Sequence, residues 1–355
     1  MPVPRYKQPG LSLRQGGPND PALVRALQRD LRALGYLKAG IDGVFGDGTT
    51  RAVRALQHDL LNNSGASSGG DGRAPVAIAS FNVTAGGAKA VTVIDGVVTE
   101  AVAGCLEAML ADARIPQLPR ADDPGAQNRA ALAAIAATPS ATAPTPYIAA
   151  MVLQESDGRH FNVPRGADED AFVIVGLDRN DTAAPDRITS RGFGIGQYTL
   201  FHHPPRLDEL RDVIADPVGN VQKAFAELRQ KFDRYLVGPA STADDRTAEH
   251  PLLPLRICKY PPNDPRYMRD CRNCARAARK IDIVRGTPAY KGASISYQPD
   301  QYYPSANYAN VPDRADFPCD WPYAVRRYNG SGNNSFHYQT RVLLNLLIQP
   351  AFIGS

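Results

Sequence analysis

The chain has 355 residues, of which 43% are hydrophobic and 21% charged, a composition typical of globular proteins and too apolar for a disordered chain. At this length two or more domains are expected. The 40 basic and 36 acidic side chains give a formal net charge of +4, so we expect no nucleic acid partner. No apolar run approaches the about 20 residues that a bilayer span needs, which predicts no membrane span.

The first predicted element is a helix over residues 20–34. Asp20 can cap its start, and Pro21 suits a first turn whose N–H groups have no partner within the helix. Gly35 ends it, a glycine-rich turn follows, and a second amphipathic helix is predicted around residues 53–60. Together these elements predict a small helical module.

The next segment combines a loop, strands and a repeated motif. Residues 62–72 are almost free of apolar side chains and predict a flexible loop, whereas residues 75–94 alternate in a way that predicts strands. Ile-Asp-Gly-Val at 94–97 then repeats the same four residues at 41–44. The echo indicates a degenerate repeat or a helix that closes the same module, with a chance match of a short motif as the alternative.

The amino-terminal module resembles a known family. Its motif consists of Leu27-Gln28, Leu34-Gly35-Tyr36, Asp42-Gly43-Val44-Phe45-Gly46, Thr50 and Ala52-Val53. The motif is similar to the peptidoglycan-binding domain of many cell-wall hydrolases, and the resemblance implies that Asp42, Gly43, Phe45 and Gly46 lie beside a groove for the glycan or its peptide stem. The same residues also suit an ordinary turn and core, because glycine permits positive φ and Asp can accept from the backbone ahead of it.

Prolines and an Asp-Asp-Pro-Gly turn at 116–126 interrupt the periodic patterns and predict a linker. We therefore expect a peptidoglycan-binding domain at 1–115 and a mainly helical domain at 127–355. Within the second domain, residues 162–191 predict a loop and about 239–320 a Cys- and Pro-rich insertion. Helices are predicted at about 127–137, from Thr145-Pro146, and at 217–236, 322–329 and 336–348.

A carboxylate lies on an apolar face of the helix that starts at Thr145. Ile148, Met151 and Val152 recur at helical spacing, and Glu155 falls on the same face. Burial and the negative end of the helix dipole would raise the pKa of Glu155, which could then hold a proton and give it to a glycosidic oxygen. If the helix ends earlier, Glu155 is a solvated surface residue.

Three segments around this residue resemble soluble lytic transglycosylases and goose-type lysozymes. The segments are Glu155-Ser156, Gly194-Ile195-Gly196-Gln197 and Ala324 through Gly330, and Tyr338 through Val342 is similar to the part that follows. The resemblance implies a lysozyme-like α+β domain in a mainly α chain. It also implies cleavage between N-acetylmuramic acid and N-acetylglucosamine, with peptidoglycan glycan strands as partner and with no cofactor or metal.

The same resemblance implies roles for single residues. Glu155 would be the general acid, and Tyr328 would contact the substrate or Glu155 itself. The sugar cleft would be lined by Ser156, Gly194, Gln197 and Asn329.

The interval between the first two segments leaves the reaction open. Gly194 follows Glu155 by 39 residues, a longer interval than in the family, and the extra residues include five candidates for a second catalytic carboxylate: Asp168, Glu169, Asp170, Asp178 and Asp181. A muramidase must activate water, usually with such a second acid, whereas a lytic transglycosylase uses one carboxylate in both roles. A third possibility is a non-catalytic wall-binding or structural protein with a degenerate lysozyme-like domain.

Cysteine and histidine positions complete the candidate sites. The four cysteines of the last third predict two disulfides, with zinc or free thiols as alternatives: Cys258, Cys271, Cys274 and Cys319. Cys105 lies in an apolar helical stretch and is expected in the core. His202-His203, followed by two prolines, predicts a surface turn more than a zinc site.

The opening segment lacks the apolar core of a Sec signal. We therefore expect the protein to reach the periplasm or cell wall by another route. Candidate routes are phage lysis as an endolysin, a phage particle, or a secretion apparatus for an effector that an immunity protein would neutralise.

Overall fold

The computed structural model describes residues 6–38, 40–138, 142–164, 166, 169–237, 255–278, 314–330 and 333–348. The chain is mainly helical with small antiparallel sheets, which confirms the predicted class. It forms two compact units: the first comprises residues 1–128 and 160–220, and the second comprises 129–159 and 221–355. Among the described residues no helix combines the length and apolar character of a membrane span.

Three helices form the amino-terminal module: α1 (Pro21–Ala33), α2 (Asp47–Asn62) and α3 (Glu100–Ala111). The Asp20 side chain accepts a hydrogen bond at 2.8 Å from the first turn of α1, as predicted. The inner faces of the three helices share one buried core, and Cys105 of α3 lies in it, which confirms its expected place. Helical periodicity and the helix caps therefore predict this module correctly.

The two Ile-Asp-Gly-Val turns have the same hydrogen bonds. Gln28 of α1 donates to the aspartate of turn 41–44 at 2.8 Å and accepts from the glycine N–H of that turn at 2.8 Å. Gln57 of α2 donates to the aspartate of turn 94–97 at 2.7 Å and accepts from its glycine N–H at 2.9 Å. Both interpretations of the echo are thus correct: the repeat is structural, and α3 closes the module.

The segment 62–72 is a loop, as predicted, but hydrogen bonds hold it in place. Ser68 N donates to the Phe201 carbonyl at 3.0 Å, and Phe201 N donates to the Asp71 carboxylate at 2.7 Å. Its conformation therefore depends on residues far along the chain.

The strand prediction for residues 75–94 is wrong. The segment contains a short 3-10 helix, Ile78–Phe81, and no strand. The Asn82 side chain donates to Val91 O at 2.8 Å and accepts from Val91 N at 2.7 Å. A side-chain amide thus takes the place of a strand partner for this backbone.

The strands form two small sheets in the first unit. In one, β1 (Ser12–Leu13) pairs with β2 (Val98–Thr99), and in the other β3 (Val175–Asp178), β4 (Ser190–Phe193) and β5 (Tyr198–Leu200) pair in that order, all antiparallel. Helix α6 (Leu207–Glu209) continues as a π-helical turn over Leu210–Ile214. The loop predicted at 162–191 therefore contains β3 and the start of β4.

Buried charges join residues 160–220 to the amino-terminal module. Arg32 of α1 donates to Val173 O at 2.9 Å, and Arg191 of β4 lies 3.4 Å from the Asp59 carboxylate of α2. Removing one partner of the Arg191–Asp59 pair would leave an uncompensated buried charge, so these contacts stabilise the packing of the two segments. Periodicity marks where helices end and not which segments pair, so the domain boundary at 116–126 stays a prediction.

The second unit is built mainly from helices. They are α5 (Thr145–Ser156), α8 (Cys271–Arg276), α9 (Trp321–Tyr328) and α10 (Asn333–Ile348), while α4 (Pro124–Ala137) and α7 (Pro217–Phe232) each include residues of both units. A π-helical turn, Asp233–Val237, continues α7, and α10 packs against α5 and α9. The predicted helices agree with these bounds to within a few residues, and the insertion at about 239–320 lies largely outside the described residues.

Candidate functional site

Glu155 lies in the last turn of α5. The apolar residues before it on that helix, Ile148, Met151 and Val152, are all buried, whereas Glu155 is partly exposed. The helix ends after Ser156, where Asp157 takes a left-handed conformation with φ of 57°. The helix therefore extends through Glu155, as predicted, and places the carboxylate after these buried residues at a partly exposed position.

Tyr338 of α10 is a direct partner of Glu155. Its hydroxyl donates to Glu155 Oε1 at 2.5 Å, and the residue is buried. Burial, followed by the charge of Glu155, raises the pKa of Tyr338 well above its ordinary value, so the phenol keeps its proton and remains the donor. A donor of this kind fixes the carboxyl group and favours its ionised form.

Tyr328, at the end of α9, stacks on the same tyrosine. The centroids of the Tyr328 and Tyr338 rings are 6.3 Å apart, with 11° between the ring planes. Burial and the charges of Glu227 and Glu155 raise the pKa of Tyr328 well above its ordinary value. The structure therefore groups Glu155 with both tyrosines, although the sequence singled out Tyr328 and noted Tyr338 only within a similar segment.

Two further predicted residues belong to this unit. Ser156 is buried, and its hydroxyl donates to Val152 O at 3.0 Å within α5. Asn329 follows the end of α9 and is exposed. Their contacts with a sugar remain predictions.

The segment predicted to line the cleft, Gly194 to Gln197, belongs to the first unit. Gly194 has φ of 72°, and a Cβ added to it would lie 2.4 Å from His160 Cε1, so only glycine fits. Gln197 Nε2 donates to Gly194 O at 2.8 Å, and Gln197 Oε1 occupies space that a Cβ on Gly176 or Gly192 would enter. The Gln197 amide therefore completes its own turn, and its sugar contact remains a prediction.

Two buried side chains that sequence reasoning missed support this turn. Asn220 Oδ1 accepts from Gly196 N at 2.8 Å. His160 accepts from Ile195 N at 3.3 Å through Nδ1 and lies 3.0 Å from Ile214 O through Nε2. Burial lowers the pKa of His160 to about 4, although the bond to that carbonyl opposes the shift, so the ring is neutral at pH 7.

The candidate second carboxylates that the structure describes also lie in the first unit, where they have local partners. Asp170 pairs with Arg29 at 2.5 Å and Asp181 with Arg187 at 3.2 Å. Asp178 accepts from the Ser190 hydroxyl at 2.8 Å. Glu169 lines a pocket of about 90 Å³, and Asp168 lies outside the described residues. A catalytic role for any of the five remains a prediction.

The four late cysteines gather in the second unit as free thiols. Cys271 and Cys274 are one turn apart on α8, and Met268 N donates to Cys258 Sγ at 3.3 Å. Burial and then the nearby Cys319, Cys274 and Cys258 raise the pKa of Cys271 well above its ordinary value. In the described part of the chain no group of three or more His, Cys, Asp or Glu side chains could hold a metal ion. The disulfides remain a prediction.

The prediction of a surface turn at His202-His203 is wrong. Both side chains are buried, and His202 lies 2.9 Å from Glu209 and 3.2 Å from Asp71. His203 packs edge-on against Tyr36 with the ring centroids 5.0 Å apart. The two prolines after His203 had indicated an exposed segment. Carboxylates of the first unit instead hold His202 in the interior.

Internal contacts hold the turn of the amino-terminal module. Asp42 accepts from Val44 N at 2.9 Å, Gly43 has φ of 79°, and Phe45 is buried. Residues 20–60 match the family model described as "Putative peptidoglycan binding domain". The protein therefore carries a peptidoglycan-binding domain, which indicates association with the cell wall. No curated protein and no solved structure matches the chain.

Proposed function

We propose that the protein is a peptidoglycan glycosidase that cleaves between N-acetylmuramic acid and N-acetylglucosamine, with Glu155 as general acid. The observation that supports this most is the 2.5 Å hydrogen bond from Tyr338 to Glu155 at the end of a buried helix. A carboxyl group held in one orientation beside aromatic rings suits proton transfer to a bound sugar.

The hydrogen bond from Tyr338 contributes most to catalysis once Glu155 has given up its proton. As Glu155 protonates the glycosidic oxygen, the bond from C1 to that oxygen breaks and Glu155 becomes a carboxylate. A hydrogen bond to an ionised acceptor is stronger than one to a neutral acceptor, so Tyr338 stabilises the charge that develops in the transition state.

The peptidoglycan-binding domain would keep the second unit at its substrate. Tethering one module raises the effective concentration of the other without changing its chemistry. The domain supports peptidoglycan as the substrate class, and the resemblance of the segments around Glu155 supports the choice of bond.

A second candidate is a non-catalytic wall-binding protein with a degenerate lysozyme-like domain. It is favoured by the internal hydrogen bond that Gln197 makes to Gly194 and by the ion pairs of Asp170 and Asp181. In that case the wild-type protein would bind sacculi and release nothing from them.

The test compares wild type with Glu155→Gln on purified sacculi, measuring release of soluble fragments and cosedimentation. We expect Glu155→Gln to lower the rate of release by about 10²-fold or more, with cosedimentation retained. Asp157→Asn is the matched control, since Asp157 is exposed and asparagine also tolerates its left-handed φ. Wild-type release by Glu155→Gln would exclude Glu155 as the acid, and a wild-type protein that binds without release would favour the second candidate.

A further inference from the structure

A pocket of about 90 Å³ lies in the first unit, and the proposed mechanism does not use it. One of its walls belongs to the matched residues 20–60, and the other belongs to residues between 162 and 172, which lie outside that match. The first wall comprises Arg32, Lys38, Gly40 and Ile41, and the second comprises Asn162, Glu169, Asp170 and Phe172. The family match therefore assigns no ligand to the complete pocket.

Arg32 of α1 puts a fixed cation in the first wall. The residue is 5% exposed, and its Nη1 donates to Leu37 O at 2.9 Å and to Lys38 O at 2.8 Å. Its Nη2 donates to Val173 O at 2.9 Å. A guanidinium has five N–H groups, so two of them have no hydrogen-bond partner among the described residues. Burial lowers the pKa of Arg32 to about 10, although the charge of Glu169 opposes the shift, so the group is still charged at pH 7.

The other charged groups around the pocket leave a surplus of positive charge. Lys38 is exposed and has no ion-pair partner in the part of the chain that the structure describes. Asp170, on the second wall, already pairs with Arg29 at 2.5 Å and with Arg120 at 3.3 Å. Among the lining residues Glu169 is the one further carboxylate. Cations therefore outnumber carboxylates here, which favours an anionic ligand.

The second wall offers acceptors. Asn162 Nδ2 donates to Asp170 O at 3.3 Å, whereas Asn162 Oδ1 is buried and has no hydrogen-bond partner among the described residues. A Cβ added to Gly40 would lie 3.1 Å from Glu169 Oε1, which places that carboxylate beside the glycine across the pocket. An acceptor without a donor costs free energy when it is buried, so a ligand that brings an N–H group to this wall is favoured.

The volume of the pocket limits what can enter it. About 90 Å³ corresponds to roughly three water molecules, whereas sites for whole small molecules usually measure about 300 Å³ or more. A sugar ring with its substituents therefore does not fit, and the end of a narrow chain does. Buried Ile41 and Phe172 supply apolar contacts to the methyl or methylene groups of such an end.

We propose that this pocket binds the end of a peptide chain, namely a free carboxylate together with the N–H group on the neighbouring carbon. The carboxylate accepts from Arg32 and Lys38, and the N–H group donates to Asn162 or Glu169. Peptidoglycan carries such a group at the carboxyl end of each stem peptide, and also at the free end of the diaminopimelate side chain where that amino acid is present. The inference rests on the peptidoglycan-binding domain and not on the glycosidase activity of the second unit.

The test measures binding to the full chain by titration calorimetry at low salt, with three probes: meso-diaminopimelate, N-acetyl-D-alanyl-D-alanine and the carboxyl-terminal amide of that dipeptide. We expect at least one of the two acids to bind and the amide to lose binding, because the cations then lack an anionic partner. Lys38→Gln should weaken binding of the acid about 5-fold, and Gly40→Leu should abolish it by filling the pocket.

Two substitutions outside the pocket are the matched controls. Lys89→Gln removes an exposed lysine of the same unit. Gly86→Leu adds a leucine at an exposed glycine, where an added Cβ would lie 3.9 Å from Thr84 Oγ1. Both variants should bind the probes as wild type does. The melting temperature of each variant shows whether it is folded, and Lys38→Gln decides the question if Gly40→Leu is not.

The outcomes separate this inference from the proposed cleavage. Binding of diaminopimelate, of the dipeptide or of both, weakened by the pocket variants and not by the controls, supports the pocket and identifies the source of the group. Equal binding of the amide, wild-type binding by Lys38→Gln or by folded Gly40→Leu, or no binding of either acid at about 10 mM would overturn it. Release of fragments from sacculi is measured on its own, so loss of either result leaves the other standing.

Discussion

At the scale of single residues, the contact between Tyr338 and Glu155 would determine how the proposed acid behaves. The phenol donates to Glu155 Oε1 at 2.5 Å and favours the ionised carboxylate, which opposes storage of a proton in the resting state. In the proposed reaction the same hydrogen bond lowers the barrier to transfer of that proton. The position of Tyr338 therefore affects both how well Glu155 holds its proton and how easily it gives the proton away. The sequence did not show this contact.

Tyr338→Phe should move the alkaline limb of the pH profile to higher pH and lower kcat by roughly 10-fold. The limb moves upward because loss of the donor keeps the Glu155 carboxyl protonated to higher pH, and kcat falls because the developing charge loses its partner. The measurement is the rate of release from sacculi between pH 5 and 9. Tyr260→Phe is the control, since Tyr260 also donates to a carboxylate, Asp270, at 2.7 Å; a profile for Tyr338→Phe identical to that of Tyr260→Phe would contradict the assignment.

The two glutamines of the structural repeat allow a matched comparison. Gln28→Ala and Gln57→Ala should each lower the free energy of unfolding by about 1–3 kcal/mol, because each leaves a glycine N–H and an aspartate of its turn without the same partner. Chemical denaturation measures both. A large cost for one variant and none for the other would contradict the equivalence of the turns.

At the scale of elements, helices were predictable where apolar residues recur and caps are local. The start of α1 at Pro21 and the place of Glu155 within α5 follow from such signals. The elements that pack against these helices were not predictable. Periodicity shows which face of a helix is buried, but it does not show which other segment covers that face. For the same reason the contact of Tyr338 with Glu155 was found only in the structure. The strand prediction for 75–94 was wrong because the Asn82 side chain bonds the backbone there.

The cysteine-bearing segments around α8 are expected to form two disulfides in an oxidising compartment. A thiol titration of the oxidised, denatured protein should then find only Cys105 reactive, and reductant should lower the melting temperature, since a disulfide typically contributes about 2–4 kcal/mol. The same scan with a chelator is the control and should show no change. Reaction of all five cysteines in the oxidised protein would contradict the pairing.

At the scale of the whole molecule, the division into units decides how function should be dissected. A fragment ending at residue 115 would remove Arg191 from Asp59 and Val173 from Arg32. Because those partners are buried, binding and catalysis are better separated by point substitutions in the full chain than by truncation.

The stability of the full chain should fall as the pH drops from 7.5 to 5. Burial lowers the pKa of His203 well below its ordinary value and that of His160 to about 4, so both stay neutral when folded while the unfolded chain takes up protons below about pH 6.5. Burial would also lower the pKa of His202, but its hydrogen bonds with Glu209 and Asp71 raise it, so this residue acts in the opposite sense.

On acidification, His160 and His203 thus lower the free energy of unfolding and His202 raises it. Each contributes at most about 1.4 kcal/mol per pH unit. The measurement is the melting temperature across this range. His203→Gln should show a shallower decrease than wild type, and a wild-type melting temperature that rises toward pH 5 would contradict the sign.

The central claim is that this wall-binding protein cuts the glycan strand, and mass spectrometry of the soluble products from purified sacculi tests it most directly. We predict disaccharide-containing muropeptides, with reducing or anhydro ends, released by wild type and absent with Glu155→Gln. Release of stem peptides without sugar, or of nothing at all, would contradict it.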